Sequence, residues 1–353
     1  MLREDNPYRP QVVLLLDVLP LVAKERCFAL KGGTAINLFV RDLPRLSVDI
    51  DLTYVPVQDR ATSLAAVGAA LERIASSIEG QSKGVRVEHT SAEGQIIKLV
   101  AWRGRARVKI EASPVLRGCV REPAMRGVSQ AVEAQFGYIE VPVVHLDDLY
   151  AGKLCAALDR QHPRDLFDVQ LLLKHEGFLD GLLEVFVVYL LSSDRPLAEM
   201  LAPSRQPLTT IFEEQFHGMA LEPVTVKELE QTREIMISLI HTKLTDRQRR
   251  FLLSFKRGEP DWGLLNLRNV AELPAVQWKL QNVRRMASAN VIRRSNVCGV
   301  CCTDNSMSEY LHTVRRTWEH ATFPSASAGV RLVYPSLFMS TSAAIVDSPL
   351  RQA

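Results

Sequence analysis

The chain has 353 residues, 47% apolar and 24% charged, with a formal net charge of +3. That is the composition of a folded globular protein long enough for two domains, and it demands no polyanionic partner. The N-terminus, MLREDNPYRP, lacks the apolar run of a signal peptide. The most apolar stretch, Phe178 to Leu191, carries Asp180 and Glu184 and is too short to span a bilayer. The first three cysteines, Cys27, Cys119 and Cys155, lie far apart, which is no disulfide framework and fits a reducing cytoplasm.

Taken in chain order, Val12 to Lys24 reads as a helix interrupted near Pro20, and Cys27 to Lys31 as a short strand running into Gly32-Gly33. Thr34 to Val40 has helical spacing, with Ala35, Leu38 and Phe39 on one face. Leu46 to Tyr54 reads as a strand and Arg60 to Glu79 as a helix. Three strand-like runs follow, Val85 to Thr90, Gln95 to Trp102 and Ala106 to Ala112, with turns at Glu93-Gly94 and Arg103-Gly104. The expected fold class is therefore α+β, a mixed sheet with helices on one face over residues 1–143. His145 to Arg160 and Pro163 to Glu176 read as consecutive helices that open a helical domain over 144–291, ending in ELPAVQWKLQNVRRM. Residues 292–353, with Ser/Thr clusters and CGVCC, show no periodicity and read as an irregular tail. CGVCC lacks the spacing of a four-ligand zinc site.

Chemistry concentrates in LKGGTAINLFVRDLPRLSVDIDL. Residues two apart in a strand share a face, about 6.5 to 7 Å between alpha carbons, so Asp49 and Asp51 converge on one point. Two carboxylates so close repel unless cations lie between them, and a pair of divalent ions held this way is the clamp of nucleotidyl transfer. Magnesium suits such oxygen ligands. Gly32 and Gly33 let the backbone approach a phosphate, and Thr34 adds a hydroxyl donor at the start of a helix. Glu111, between apolar Ile110 and Ala112, is the candidate third metal ligand; the alternative is an outward charge paired with Lys109 or Lys98. Lys153 sits on the apolar side of its helix, where it can snorkel to the surface or reach a phosphate. Asp165 and Asp168 share a face of the next helix, flanked by Arg160 and Arg164; helix-dipole acids are the alternative reading. The i, i+2 spacing of Arg103, Arg105, Arg107 and Lys109 puts all four on one side, as a phosphate track would; the solvated face of a strand is the alternative reading.

KGGTAINLF, then RLSVDIDL, then GKLCAALDR followed by RDLFD, resembles the AbiEii/AbiGii-type nucleotidyltransferase toxins of type IV toxin–antitoxin and abortive-infection systems. Those belong to the DNA polymerase β-like superfamily, and the resemblance covers about Phe28 to Met286. It implies a polymerase β-like first domain and transfer of a nucleotide from an NTP, in some members onto the 3′ end of tRNA. It also implies Mg2+ as cofactor, as two ions, and an antitoxin encoded alongside. Residue by residue, Lys31, Gly32, Gly33 and Thr34 match the nucleotide-binding motif, Asp49 and Asp51 the metal pair, and Arg45 and Ser47 the residues preceding it. Lys153 matches the helical lysine, Asp165 the late acidic motif, and Glu111 stands as the third carboxylate. The fifteen residues between Gly33 and Asp49 exceed the spacing of compact superfamily members. Transfer onto a small acceptor and a non-catalytic nucleotide-fold protein are the competing readings.

Overall fold

The computed structural model describes residues 4–92 and 94–297, so the expectations for Glu93 and for most of the tail, CGVCC included, fall outside the described residues. Helix α1 (Arg9–Val22) starts with Pro10 in its first turn and buries Leu14, Leu15, Val18 and Leu19. It does not break at Pro20, as the sequence had suggested, but runs through to Val22. A proline there forfeits one hydrogen bond in the last turn, where the packed Leu19 and Val22 hold the backbone helical.

Strand β1 (Phe28–Lys31) leads into the four-residue helix α2 (Gly32–Ala35), which widens into a π-helical turn over Ile36–Val40. Strand β2 (Asp49–Tyr54) is shorter than expected. The preceding residues pair instead with a distant loop: Leu46 N donates to Met219 O at 2.9 Å and Leu221 N to Pro44 O at 2.8 Å. Helix α3 (Arg60–Gln81) is capped by the Asp59 carboxylate, which accepts from Thr62 N. Then come β3 (Arg86–Ala92), β4 (Gln95–Arg103), β5 (Ala106–Arg117), β6 (Ala124–Gly127), helix α4 (Gln130–Phe136) and β7 (Glu140–Val143). The sequence does not show the last three, because β6 and β7 are four residues each, too short for alternation, and α4 spans only seven residues, about two turns.

The described strands form one mixed sheet in the order β3-β4-β5-β2-β1-β7-β6. β2 runs antiparallel to β1 and parallel to β5, so the carboxylate strand is central. Alternation decides the two faces. Ile50, Leu52, Leu99, Val108, Ile110 and Ala112 are buried on the side that carries α1 and α3. Asp49, Asp51, Lys109 and Glu111 point the other way. The fold is thus the expected α+β class.

Beyond Val143 the chain is helical: α5 (Leu146–Asp159), α6 (Pro163–His175), α7 (Asp180–Leu191), α8 (Leu197–Leu201), α9 (Thr209–Gln215), α10 (Val226–Lys243), α11 (Asp246–Lys256) and α12 (Pro274–Val297). α5 packs on α6 and α7, and α2 meets both β2 and α5. Residues Met1–Arg293 make one compact unit, so the sheet and these helices share a core although the secondary structure changes after Val143.

The expected four-residue basic track does not form. Gly104 and Arg105 make the β4–β5 turn, Arg103 pairs with Asp17 of α1 at 2.8 Å, and only Arg107 and Lys109 share a face of one strand. A hairpin turn inside the run resets the alternation that a single strand would have kept.

Candidate active site

The glycine turn and the aspartate strand are in contact. Gly32 has φ +75°, a left-handed conformation that favours glycine, and a Cβ there would stand 2.4 Å from Asp51 Oδ2. A Cβ on Gly33 would stand 2.7 Å from both Arg45 Nη2 and Ser47 Oγ. Both glycines are therefore dictated by close approach. Thr34, fully buried, donates to the backbone carbonyl of Asp49 and lies 3.2 Å from Ser47 Oγ. The hydroxyl expected to meet a ligand thus ties the helix start to the aspartate strand.

Asn37 completes this clamp and was missed in the sequence. It is fully buried, donates from Nδ2 to Gly33 O at 2.7 Å, and accepts from Arg45 N through Oδ1. Its signal was a single amide inside the apolar run Ala35 to Val40, where a buried polar group needs a partner.

On the sheet, Lys31 pairs in register with Asp51, and Asp51 with Glu111. Burial raises the Asp51 carboxyl above its ordinary range; Lys31 opposes this and Asp49 reinforces it. Burial likewise lowers the Lys31 ammonium, with Asp51 partly offsetting. Glu111 lies beside Asp51, yet its carboxylate pairs with Lys109 at 3.1 Å rather than joining the two aspartates. Among the described residues no three of His, Cys, Asp and Glu gather into a metal-binding group.

The helical half supplies an ionic network. Arg45 grips Asp168 with two bonds, Nε to Oδ1 at 2.7 Å and Nη2 to Oδ2 at 2.6 Å. Lys153 lies 2.8 Å from Asp165 Oδ1 and 2.9 Å from Asp168 Oδ2. It is 7% exposed, so it neither snorkels nor stands unpaired. Arg160 closes the network by donating to both oxygens of Asp165. Burial alone would raise Asp165 and Asp168, but Lys153 with Arg160, and Arg45 with Lys153, hold the two carboxyls below their usual range. Burial pulls Lys153 down, and the same two aspartates overcome it. Asp165 and Asp168, for which helix-dipole acids were the alternative reading, are instead both paired, with Lys153 bridging them in the middle of the network.

The two halves face each other. Lys153 and Arg160 lie within electrostatic reach of Asp51, and Arg164 within reach of Asp49. Burial and then Arg45 depress the Arg164 guanidinium, and its buried Nε has no hydrogen-bond partner among the described residues. The glycine turn, Asp49, Asp51, Lys153, Asp165 and Asp168 thus lie in one neighbourhood, with Glu111 and Lys109 at its β5 edge, whereas Arg103 and Arg105 lie outside it.

The family model for the nucleotidyl transferase AbiEii toxin of type IV toxin–antitoxin systems matches residues 13–282. The chain belongs to the AbiEii family. It is accordingly a nucleotidyltransferase, of the toxin class of a type IV toxin–antitoxin system. Among solved structures, the AbiEii chain is similar to MenT4, a nucleotidyltransferase toxin from Mycobacterium tuberculosis H37Rv. The TM-score is 0.52 at 16% identity, covering 78% of this chain and 92% of that one. That likeness agrees in fold. Terminal uridylyl transferase 4 from Trypanosoma brucei, with bound dUTP, matches at a TM-score of 0.25 and 14% identity over 68% of this chain and 70% of that one. No curated protein sequence matches the chain. No helix among the described residues is long and apolar enough to cross a membrane.

Proposed function

We propose that this AbiEii protein is a magnesium-dependent toxin that moves a nucleotide from an NTP to the 3′ end of tRNA in the cytoplasm, opposed by an antitoxin encoded alongside. The observation that carries the reading is the contact between the glycine turn and Asp51, 2.4 Å from a Cβ that Gly32 lacks. Phosphates lying on that turn would meet Asp49 and Asp51 directly.

The donor set fits a hard divalent cation, because Asp49 and Asp51 offer only carboxylate oxygens on one face and Asp51 is under-compensated by Lys31. Those two residues would hold the metal, with Glu111 joining only by leaving Lys109. When bound, such an ion supplies charge neutralisation at the phosphates. The other roles belong to the chain. Gly32 and Gly33 let Asp51, Arg45 and Ser47 close on the turn, which Thr34 and Asn37 fix and whose backbone N–H groups would receive the triphosphate. Arg164 and Arg160, within electrostatic reach of Asp49 and Asp51, would meet the phosphates as cations. Lys153, held by Asp165 and Asp168, contributes its field toward Asp51 while Arg45 locks the aspartate loop onto α6. Lys31 sits on the opposite side of Asp51 from Glu111 and balances its charge. The acceptor hydroxyl would lose its proton to a carboxylate of this site and attack the α-phosphate, and pyrophosphate would leave toward the cationic side.

The test is incubation of purified protein with each α-labelled NTP, Mg2+ and bacterial tRNA, resolved on a gel. Label on tRNA that vanishes with Asp49→Ala and with a chelator supports the reading. Label on no RNA with any NTP overturns the acceptor assignment.

A further inference from the structure

The face of the sheet that bears Asp49 and Asp51 continues outward across β5, β4 and β3, and the register fixes what it displays. One row across the strands reads Thr90, Lys98, Glu111, Asp51, Lys31; the next reads Glu88, Val100, Lys109, Asp49; the third reads Arg86, Trp102, Arg107. α1 and α3 occupy the other face. On this one, Arg86, Glu88, Thr90 and Arg107 are exposed, and Lys98, Val100 and Trp102 are half-buried. The Arg86 guanidinium lies over the Trp102 ring, 5.5 Å from its centroid.

We infer that this β3–β4–β5 face is the track on which a single-stranded RNA 3′ segment reaches the aspartate pair, and this rests on the nucleotidyltransferase reading above. Charge selects the occupant: Arg86, Lys98, Arg107 and Lys109 outnumber Glu88 and Glu111, and Lys109 already neutralises Glu111. An aromatic ring backed by a guanidinium, with an apolar Val100 beside it, is a seat for a base, and the flanking cations suit phosphates. The third row lies four residues along β5 from the row of Asp51, about 13 Å. A strand seated on Trp102 therefore has its end directed at the carboxylates across Lys109. Unlike the run Arg103 to Lys109 in the sequence, this cationic surface is assembled from three strands, not one.

The test uses the full chain and a short fluorescein-labelled single-stranded RNA, read by anisotropy over a salt series, beside the KM for NTP and for RNA in the transfer assay. Trp102→Leu should weaken RNA binding about tenfold without changing the salt slope, and Trp102→Phe should restore most of it. Arg107→Ala should reduce the log–log salt slope by about one. The KM for NTP should not move, and melting temperatures should stay near wild type. RNA affinity and RNA KM unchanged in all three variants would overturn the track while leaving nucleotide transfer intact. Variants that lose affinity for a co-expressed antitoxin but not for RNA would overturn it too, assigning the face to a protein. Weakened RNA binding in a protein that labels no RNA would uphold the surface and defeat only the acceptor reading.

Discussion

Two clusters of charge sit side by side in this AbiEii protein, and physics treats them oppositely. At Lys153, Asp165, Asp168, Arg45 and Arg160 every charge has a partner within hydrogen-bond reach, and the carboxyls are driven below their ordinary range. At Asp49 and Asp51 two like charges share a strand face, and burial raises one of them. In the first cluster the charges answer one another, and Arg45 ties the segment before β2 to α6 while Lys153 and Arg160 stay within reach of Asp51. In the second, burial outweighs the nearby lysines at Asp51 and no direct ion pair closes on either aspartate among the described residues, an arrangement suited to a cation and its phosphates. The same residue types therefore carry structure in one place and chemistry in the other, according to whether their partners come from within the chain.

The largest expected effect separates the two. Asp49→Ala should lower nucleotide transfer on the order of 10³-fold while the melting temperature barely moves, measured by label incorporation and differential scanning calorimetry. A large fall in stability would show that the pair belongs with the first cluster.

Next comes the converse. Asp168→Ala leaves Arg45 and Lys153 buried with fewer partners and should cost about 3 kcal/mol or more in urea unfolding. A loss below about 1 kcal/mol would make the network a surface-like pairing of little worth.

Gly32→Ala tests the contact between the regions' ligand side and its scaffold. A left-handed alanine costs about 1 kcal/mol, and its Cβ would displace the Asp51 carboxylate, so transfer should fall further than stability. Gly80→Ala, in α3 with open space around it, should instead stabilise by up to about 1 kcal/mol.

The smallest effect is in the acid limb. Asp165 and Asp168 have folded values below the unfolded carboxylate value of about 3.9. Their contribution is whole above that pH and is lost as pH falls through the folded values, because the unfolded chain takes up protons first. Asp168→Asn should flatten stability against pH below about 4, read from thermal melts; an unchanged acid limb would deny the depressed value.

Part of this site was legible because it is local. Gly32, Gly33 and Thr34 open a helix within one turn, and Asp49 and Asp51 obey a strand's period of two, so spacing alone put each set on one side. Thr34 was legible as a position but not as a role, since its hydroxyl turns inward to the Asp49 carbonyl. Asp168 was legible as a position on the Asp165 face but its partner was not, because Arg45 lies 123 residues away. Glu111 was left open by the sequence, and the register shows why: Asp51 and Lys109 are both its neighbours, and the lysine holds it.

The sequence by itself determined the alternation of α and β elements, the glycine turn and the paired aspartates, since these depend on neighbours within a turn or a strand. Tertiary structure alone decided which charges are satisfied. It brought β2 between β1 and β5, set Arg45 on Asp168 and enclosed Lys153. The reason is that whether a charge is compensated depends on distance in space, and nothing in the spacing along a chain fixes which distant elements will meet.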